Sequence, residues 1–149
     1  MKWVVWAALA LVGCDFLDSG DAGVRDAGPP AQVAGRWTLQ GTGRLYGCDN
    51  SRFNTEDLRL TTELVVGQEA DALVLLQAPP VGDGTFSFEN GLIQENRVYF
   101  TTIEEAGETR IRLRFSAKFD EAVRTLRGTF EGDGPGTCVA EGRFSGQVD

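Results

Sequence analysis

From Arg110 to Phe119 apolar and polar residues alternate without a break. Ile111, Leu113, Phe115, Ala117 and Phe119 fall on one face, and Arg110, Arg112, Arg114, Ser116 and Lys118 on the other. A period of two is that of a strand with one buried face, and it does not fit a helix, whose faces recur every ~3.6 residues. The same pattern runs through Trp37, Leu39, Gly41, Gly43 and Leu45, and through Leu58, Leu60, Thr62, Leu64 and Val66. It returns in Leu126, Gly128 and Phe130, and in Cys138, Ala140, Gly142, Phe144 and Gly146. Shorter runs at Ala72 to Ala78, Thr85 to Asn90 and Arg97 to Ile103 bring the total to about eight strands with no helical stretch between them. The connections have turn chemistry: Gly82-Asp83-Gly84, Glu105-Ala106-Gly107 and Gly132 to Gly136 read as hairpin tips. The two Gly-Asp-Gly pieces lack the spaced oxygen ligands and closing Glu of a calcium loop. An all-β fold follows, either a small antiparallel up-and-down barrel or a β-sandwich.

The amino terminus carries a different signal. Met1-Lys2 precedes about ten apolar residues, Trp3 to Val12, long enough for a secretory signal core and too short to cross a bilayer. Leu11-Val12-Gly13-Cys14 follows, and it resembles the lipobox of bacterial lipoproteins. That resemblance implies removal of residues 1–13 as a signal peptide. It also implies acylation of the Cys14 thiol, palmitate being a typical chain, and a cell-envelope location on the periplasmic face or outer surface. One acyl chain binds a membrane marginally and two hold it stably, at ~0.8 kcal/mol per buried CH₂. Asp15 resembles an inner-membrane retention signal of enteric lipoproteins. Residues 14–33 are rich in Asp, Gly, Ala and Pro and read as a flexible tether, leaving 34–149 as the folded domain.

With Cys14 taken by lipid, Cys48 and Cys138 are the remaining thiols, in what the lipobox implies is an oxidising compartment. They sit at the end of the first strand and the start of the last, so a disulfide between them would staple a closing seam. The loop is about 90 residues, for which chain entropy gives roughly 4 kcal/mol. Inward glycines on the first strand and the last two (Gly41, Gly43, Gly128, Gly142 and Gly146) also favour a closed barrel over a sandwich, because they let a barrel bend and taper.

Gly35-Arg36-Trp37, opening the first strand, resembles the Gly-x-Trp signature of lipocalins and their calycin relatives. The resemblance implies that Trp37 plugs one barrel end and that a late Arg packs over it. Arg143 is the matching position on the last strand, although its alternation points it outward. Bacterial lysozyme inhibitors of the lipoprotein type are similar small disulfide-bearing barrels, but here Asp149 stands where their Ser-Gly-x-x-Tyr pattern has Tyr.

Composition narrows the functions. The chain has no His, 14 Lys plus Arg, 22 Asp plus Glu and a net charge of -8. The commonest general acid–base side chain and His metal ligation are therefore absent, and nucleic acid is a poor partner for so acidic a chain. No catalytic residue, cofactor or metal site is assigned; the acidic tether, with Asp15, Asp18, Asp21 and Asp26, offers no fixed ligand geometry. The inward face is nearly free of charge and dominated by Phe86, Phe88, Phe100, Phe115, Phe119, Phe130 and Phe144. Eight strands enclose just enough room for side chains, so a filled interior is expected, with a small apolar ligand cavity as the alternative. Outside, Tyr99, Arg112, Arg114 and Arg127 form a candidate patch for an anionic protein or glycan, the tip at Asp120-Glu121-Ala122 bringing Arg114 and Arg127 together. The expected function is a membrane-tethered, non-enzymatic binding module. The alternatives are a small-barrel enzyme inhibitor or an envelope hydrolase using carboxylates such as Glu104, Glu105 and Glu108.

Overall fold

A computed structural model of the chain describes residues 28–149. The expected signal peptide, Cys14 and most of the expected tether lie outside the described residues. The domain is a single closed ring of eight antiparallel strands in chain order: β1 (Gly35–Tyr46), β2 (Thr55–Glu69), β3 (Ala72–Gln77), β4 (Thr85–Gln94), β5 (Arg97–Ala106), β6 (Thr109–Asp120), β7 (Thr125–Asp133) and β8 (Val139–Val148). The ring, and not a pair of facing sheets, is what the alternation produces, because β1 pairs with β8 over the whole register from Trp37↔Val148 to Tyr46↔Val139. A short 3₁₀ turn, Ser51–Phe53, capped by the Asn50 side chain, is the one departure from strand and loop among the described residues.

The closing seam runs where the glycines are. Gly43 faces Gly142 across β1–β8, and Gly41 faces Phe144. On the other side of β8, Gly128 faces Phe144 and Gly142 faces Phe130. Each inward glycine thus makes room for an aromatic ring on the neighbouring strand or lets two backbones approach. Cys48 and Cys138 are bonded at the top of the same seam. Around them Asp49 N–H donates to Thr137 Oγ1 at 2.7 Å, and Thr137 Oγ1 donates to the Gly47 carbonyl at 3.1 Å. The disulfide therefore fastens a region already tied by hydrogen bonds.

The two ends of the barrel differ. At the lower end lie the starts of β1, β3, β5 and β7 and the ends of β2, β4, β6 and β8. Here Trp37, Leu64, Val66, Val98, Phe119, Leu126 and Val148 are buried. Trp37 Nε1–H donates to the Val33 carbonyl at 2.7 Å. Val33 was assigned to the tether by composition, yet it is fully buried, and its own N–H donates to Gln68 Oε1 at 2.8 Å. Ala31 N–H also donates to the Glu95 carbonyl at 2.9 Å. The chain is thus fixed to the barrel before residue 34, because Val33 completes the apolar plug beside Trp37.

Arg124 closes this end. Its Nε donates to the Val148 carbonyl at 3.1 Å, and Nη1 and Nη2 reach the carbonyls of Gln32 and Ala34 at 3.3 and 3.4 Å. The guanidinium also lies 5.8 Å from the centre of the Phe119 ring. The lipocalin resemblance had pointed to Arg143 for such a role. Arg143 is exposed on the outer face, as its alternation required, and the cation at the plug comes from the β6–β7 turn.

Candidate functional site: an apolar cup in the upper half of the barrel

Above the plug an aromatic layer crosses the barrel. Phe100 stacks between Phe88 and Phe115, with ring centres 5.2 and 4.5 Å apart, and Phe144 meets Phe115 edge-on at 5.1 Å. Trp37 supports this layer from below, 5.5 Å from Phe100. Phe115, at the top of this layer, is the ring of it that lines the cavity above. The expected filled interior holds only up to this level.

Above this layer the barrel opens into a cup of about 690 Å³. Its apolar walls are Leu39, Leu45, Leu58, Leu60, Phe86, Ile111, Leu113 and Ala140; Thr62, Thr102 and Glu104 also line it, and at its open side so do Arg59, Thr61 and Glu63. The interior is open for a simple reason. Apart from Phe86, the inward positions of the upper half carry Leu, Ile, Ala and Thr, while Trp37, Phe119 and the stacked phenylalanines add ring volume below, so the same ring encloses less side-chain volume above. A volume of this size lies within the ~300–1,000 Å³ usual for small-ligand sites.

The wall of the cup is incomplete on one side. β2 is long, but β3 pairs with it only from Val65 to Glu69. β3 in turn pairs with β4 only at Ala72↔Leu92 and Leu73↔Gly91. In the upper half, therefore, Thr55–Leu64 of β2 and Thr85–Glu89 of β4 are paired on their far sides alone. The loop between β3 and β4 covers the gap with Pro79, Pro80 and Val81, which also line the cup.

The outer-face residues singled out in the sequence lie on the adjacent strands β5, β6 and β7. Arg114 lies opposite Glu131 and contacts it at 3.4 Å, both side chains well exposed. Arg127 lies opposite Lys118, not beside Arg114, because the turn between β6 and β7 is longer than a tip at Asp120-Glu121-Ala122 allows. Arg112 pairs in register with Asp133 and Ile103, and its Nε is enclosed without a hydrogen-bond partner among the described residues. Tyr99 lies opposite Ser116. Arg97, Lys118 and Arg127 therefore share one rung of the exposed outer face, and Tyr99 is two residues from Arg97 on β5, while Arg114 is held by Glu131 farther up β6. Glu104, Glu105 and Glu108 are all exposed, and Glu105 is held by Arg110 at 3.1 Å. No two of these carboxylates face each other across a closed cleft, the arrangement carboxylate hydrolysis requires. Among the described residues no group of three His, Cys, Asp or Glu is placed to hold a metal ion.

One cluster was not visible in the sequence. Glu141 accepts from Arg44 Nε at 2.7 Å and from the Tyr46 hydroxyl at 3.2 Å, and the Arg44 guanidinium lies 4.9 Å from the Tyr46 ring centre. Hydrogen bonding and charge from Glu141 raise the Arg44 pKa above its ordinary value. Loss of solvent, and then the hydrogen bond to Glu141, raise that of Tyr46. The cluster ties β1 to β8 on the outside, just below the disulfide; only the β1–β8 register reveals it, since Glu141 lies 97 and 95 residues from Arg44 and Tyr46 in sequence. Comparison with family models, with curated proteins and with solved structures finds no match for this chain.

Proposed function

We propose that this chain is a lipid-anchored, non-enzymatic binding module of the bacterial cell envelope, and that its ligand is an apolar molecule held in the cup. The observation that carries the proposal is the cavity of about 690 Å³, lined mainly by apolar side chains with Phe115 at its base. Removing apolar ligand surface from water there contributes roughly 25 cal/mol per Å² before the losses of association. The lipobox at Leu11-Val12-Gly13-Cys14 supports the anchor, and the absence of His together with the scattered carboxylates supports a binding role over a catalytic one. Residues 31–33, the described end of the tether, dock at the plugged end, opposite the half of the barrel that holds the cup.

The test is titration of the Cys14→Ser chain with cis-parinaric acid, a fatty acid that fluoresces in apolar surroundings. Saturable binding of one probe per chain, lost in Leu60→Lys, is expected. Absence of saturable binding to the folded chain overturns the proposal.

A further inference from the structure

We propose that the occupant of the cup is an extended polypeptide segment that displaces the covering β3–β4 loop and adds as a further strand between β2 and β4. The inference rests on the cup being a ligand site and names the class of ligand.

The first observation is a missing strand. β3 ends at Gln77 while its neighbour β2 spans Thr55–Glu69, so the upper half of the ring has a gap where β3 would continue. The two edges bordering the gap are unpaired over Thr55–Leu64 and Thr85–Glu89. The covering loop does not satisfy them. Its backbone hydrogen bond, Gly84 N–H to the Val81 carbonyl at 3.1 Å, is internal, and Pro79 and Pro80 have no N–H to offer. Alternate residues of each edge therefore direct an N–H and a C=O into the gap, and such free edges are templates for a further strand.

The second observation is where the gap leads. Inward of it are Leu58, Leu60 and Phe86, which are walls of the cup. A strand seated between β2 and β4 would send every second side chain into the cup and the others to water. A fatty acid would use the apolar volume but leave both backbone edges unsatisfied, whereas a peptide uses both.

The third observation is charge. The outer rim of the gap carries Asp57, Glu63, Asp83 and Glu89; Asp57 is held by Arg59 at 3.2 Å and Glu63 lies 3.9 Å from Arg36, so Asp83 and Glu89 are the carboxylates without an ion pair among the described residues. The fitting segment therefore alternates apolar residues, facing in, with basic residues, facing out.

The probe is a capped, fluorescein-labelled peptide of about six residues alternating Val and Lys, a length typical of one strand. Its comparators are a peptide of the same composition with Val and Lys in two blocks, and the alternating peptide methylated on every second backbone nitrogen. Binding to the Cys14→Ser chain is followed by anisotropy, with cis-parinaric acid as competitor. The alternating peptide is expected to bind and to displace the fatty acid. The methylated form should bind at least about tenfold more weakly through loss of ladder hydrogen bonds. The double variant Asp83→Asn, Glu89→Gln should weaken the peptide and leave the fatty acid unaffected. If cis-parinaric acid binds and the peptide does not, strand insertion is wrong and the apolar cup stands; if neither binds, both fall. Equal binding of the methylated and unmethylated peptides also overturns insertion, since the edges would then contribute nothing.

Discussion

Phe130 stands directly across the β7–β8 ladder from Gly142, and its ring tip lies 2.6 Å from where a Cβ on Gly142 would be placed. The same hypothetical carbon would collide with the Thr42 carbonyl on β1. Gly142 is therefore enclosed from both neighbouring strands, one side by a ring and the other by backbone. Gly142→Ala is expected to destabilise the barrel by about 1–3 kcal/mol, the usual cost of an extra methyl in a packed interior. Adding Phe130→Leu should recover only part of this, because the backbone contact remains. Urea denaturation of the single and double variants measures both values.

The Cys48–Cys138 disulfide joins the strands that close the ring, across a sequence separation of 90. Replacing both cysteines by Ser should lower stability by about 2–4 kcal/mol, the reduction being smaller if the unfolded chain is compact. The strand circular dichroism should persist, because the β1–β8 ladder and the Glu141 cluster still hold the seam. Non-reducing peptide mapping of the native protein checks the bond itself; two free thiols in protein taken from the envelope would contradict it.

The ring was legible in the sequence because a period of two records which face of each strand is buried, as Ile111 through Phe119 do without interruption. The seam was legible too, from Gly43, Gly142 and the two cysteines, because barrel closure requires small residues and places the first and last strands together. What was hidden depends on register and strand length. Alternation says that Leu58, Leu60 and Phe86 point inward, but not that β3 stops at Gln77 and leaves them facing a gap. Nor does it say how far the aromatic layer fills the ring, since that depends on which rings meet at one level. Arg124 escaped notice because it sits on a turn, with φ of 50°, where no periodicity applies. Val33 escaped because a single apolar residue after two prolines carries no pattern.

Tyr46 makes stability depend on alkaline pH. Its pKa is raised above the ordinary 10.0, first by loss of solvent and then by the hydrogen bond to Glu141. A raised folded-state pKa means that the folded form favours the neutral phenol. The stabilisation is fully present below the unfolded value of about 10 and is lost as pH rises through the higher folded value. Denaturation midpoints measured from about pH 8 to pH 11 should therefore fall at the upper end, and the fall should shrink in Tyr46→Phe. An identical alkaline decline in that variant would show that other groups cause it.

Cys14→Ser should release the chain from membranes. The membrane-directed feature of the sequence is the lipobox; the apolar run before it is about ten residues, against the ~20 a spanning helix needs. Fractionation and labelling with a palmitate analogue in a bacterial host test this, with the expected result a soluble, unlabelled protein. Labelling that survives the substitution would remove the anchor from the proposed function while leaving the cup unaffected.

Arg124 holds the plugged end by reaching three carbonyls on separate segments: Val148 at the end of β8, and Gln32 and Ala34 on the incoming chain. Removing its guanidinium leaves those carbonyls with fewer donors and frees the chain that carries Val33 onto Trp37. Hydrogen bonds to a charged group contribute about 1.5–3 kcal/mol where they are shielded from water; the bond to Val148 is part-buried and those to Gln32 and Ala34 are exposed, so Arg124→Ala should cost about 1 kcal/mol. Arg124→Lys should recover little, because an ammonium cannot reproduce a planar fork that reaches three acceptors in different directions. Hydrogen exchange gives the more specific reading. The amides of Ala31 and Val33, which donate to Glu95 and Gln68, should lose protection in Arg124→Ala before the strands do. Uniform loss of protection across the barrel would mean that Arg124 stabilises the ring as a whole and not the docking of the incoming chain.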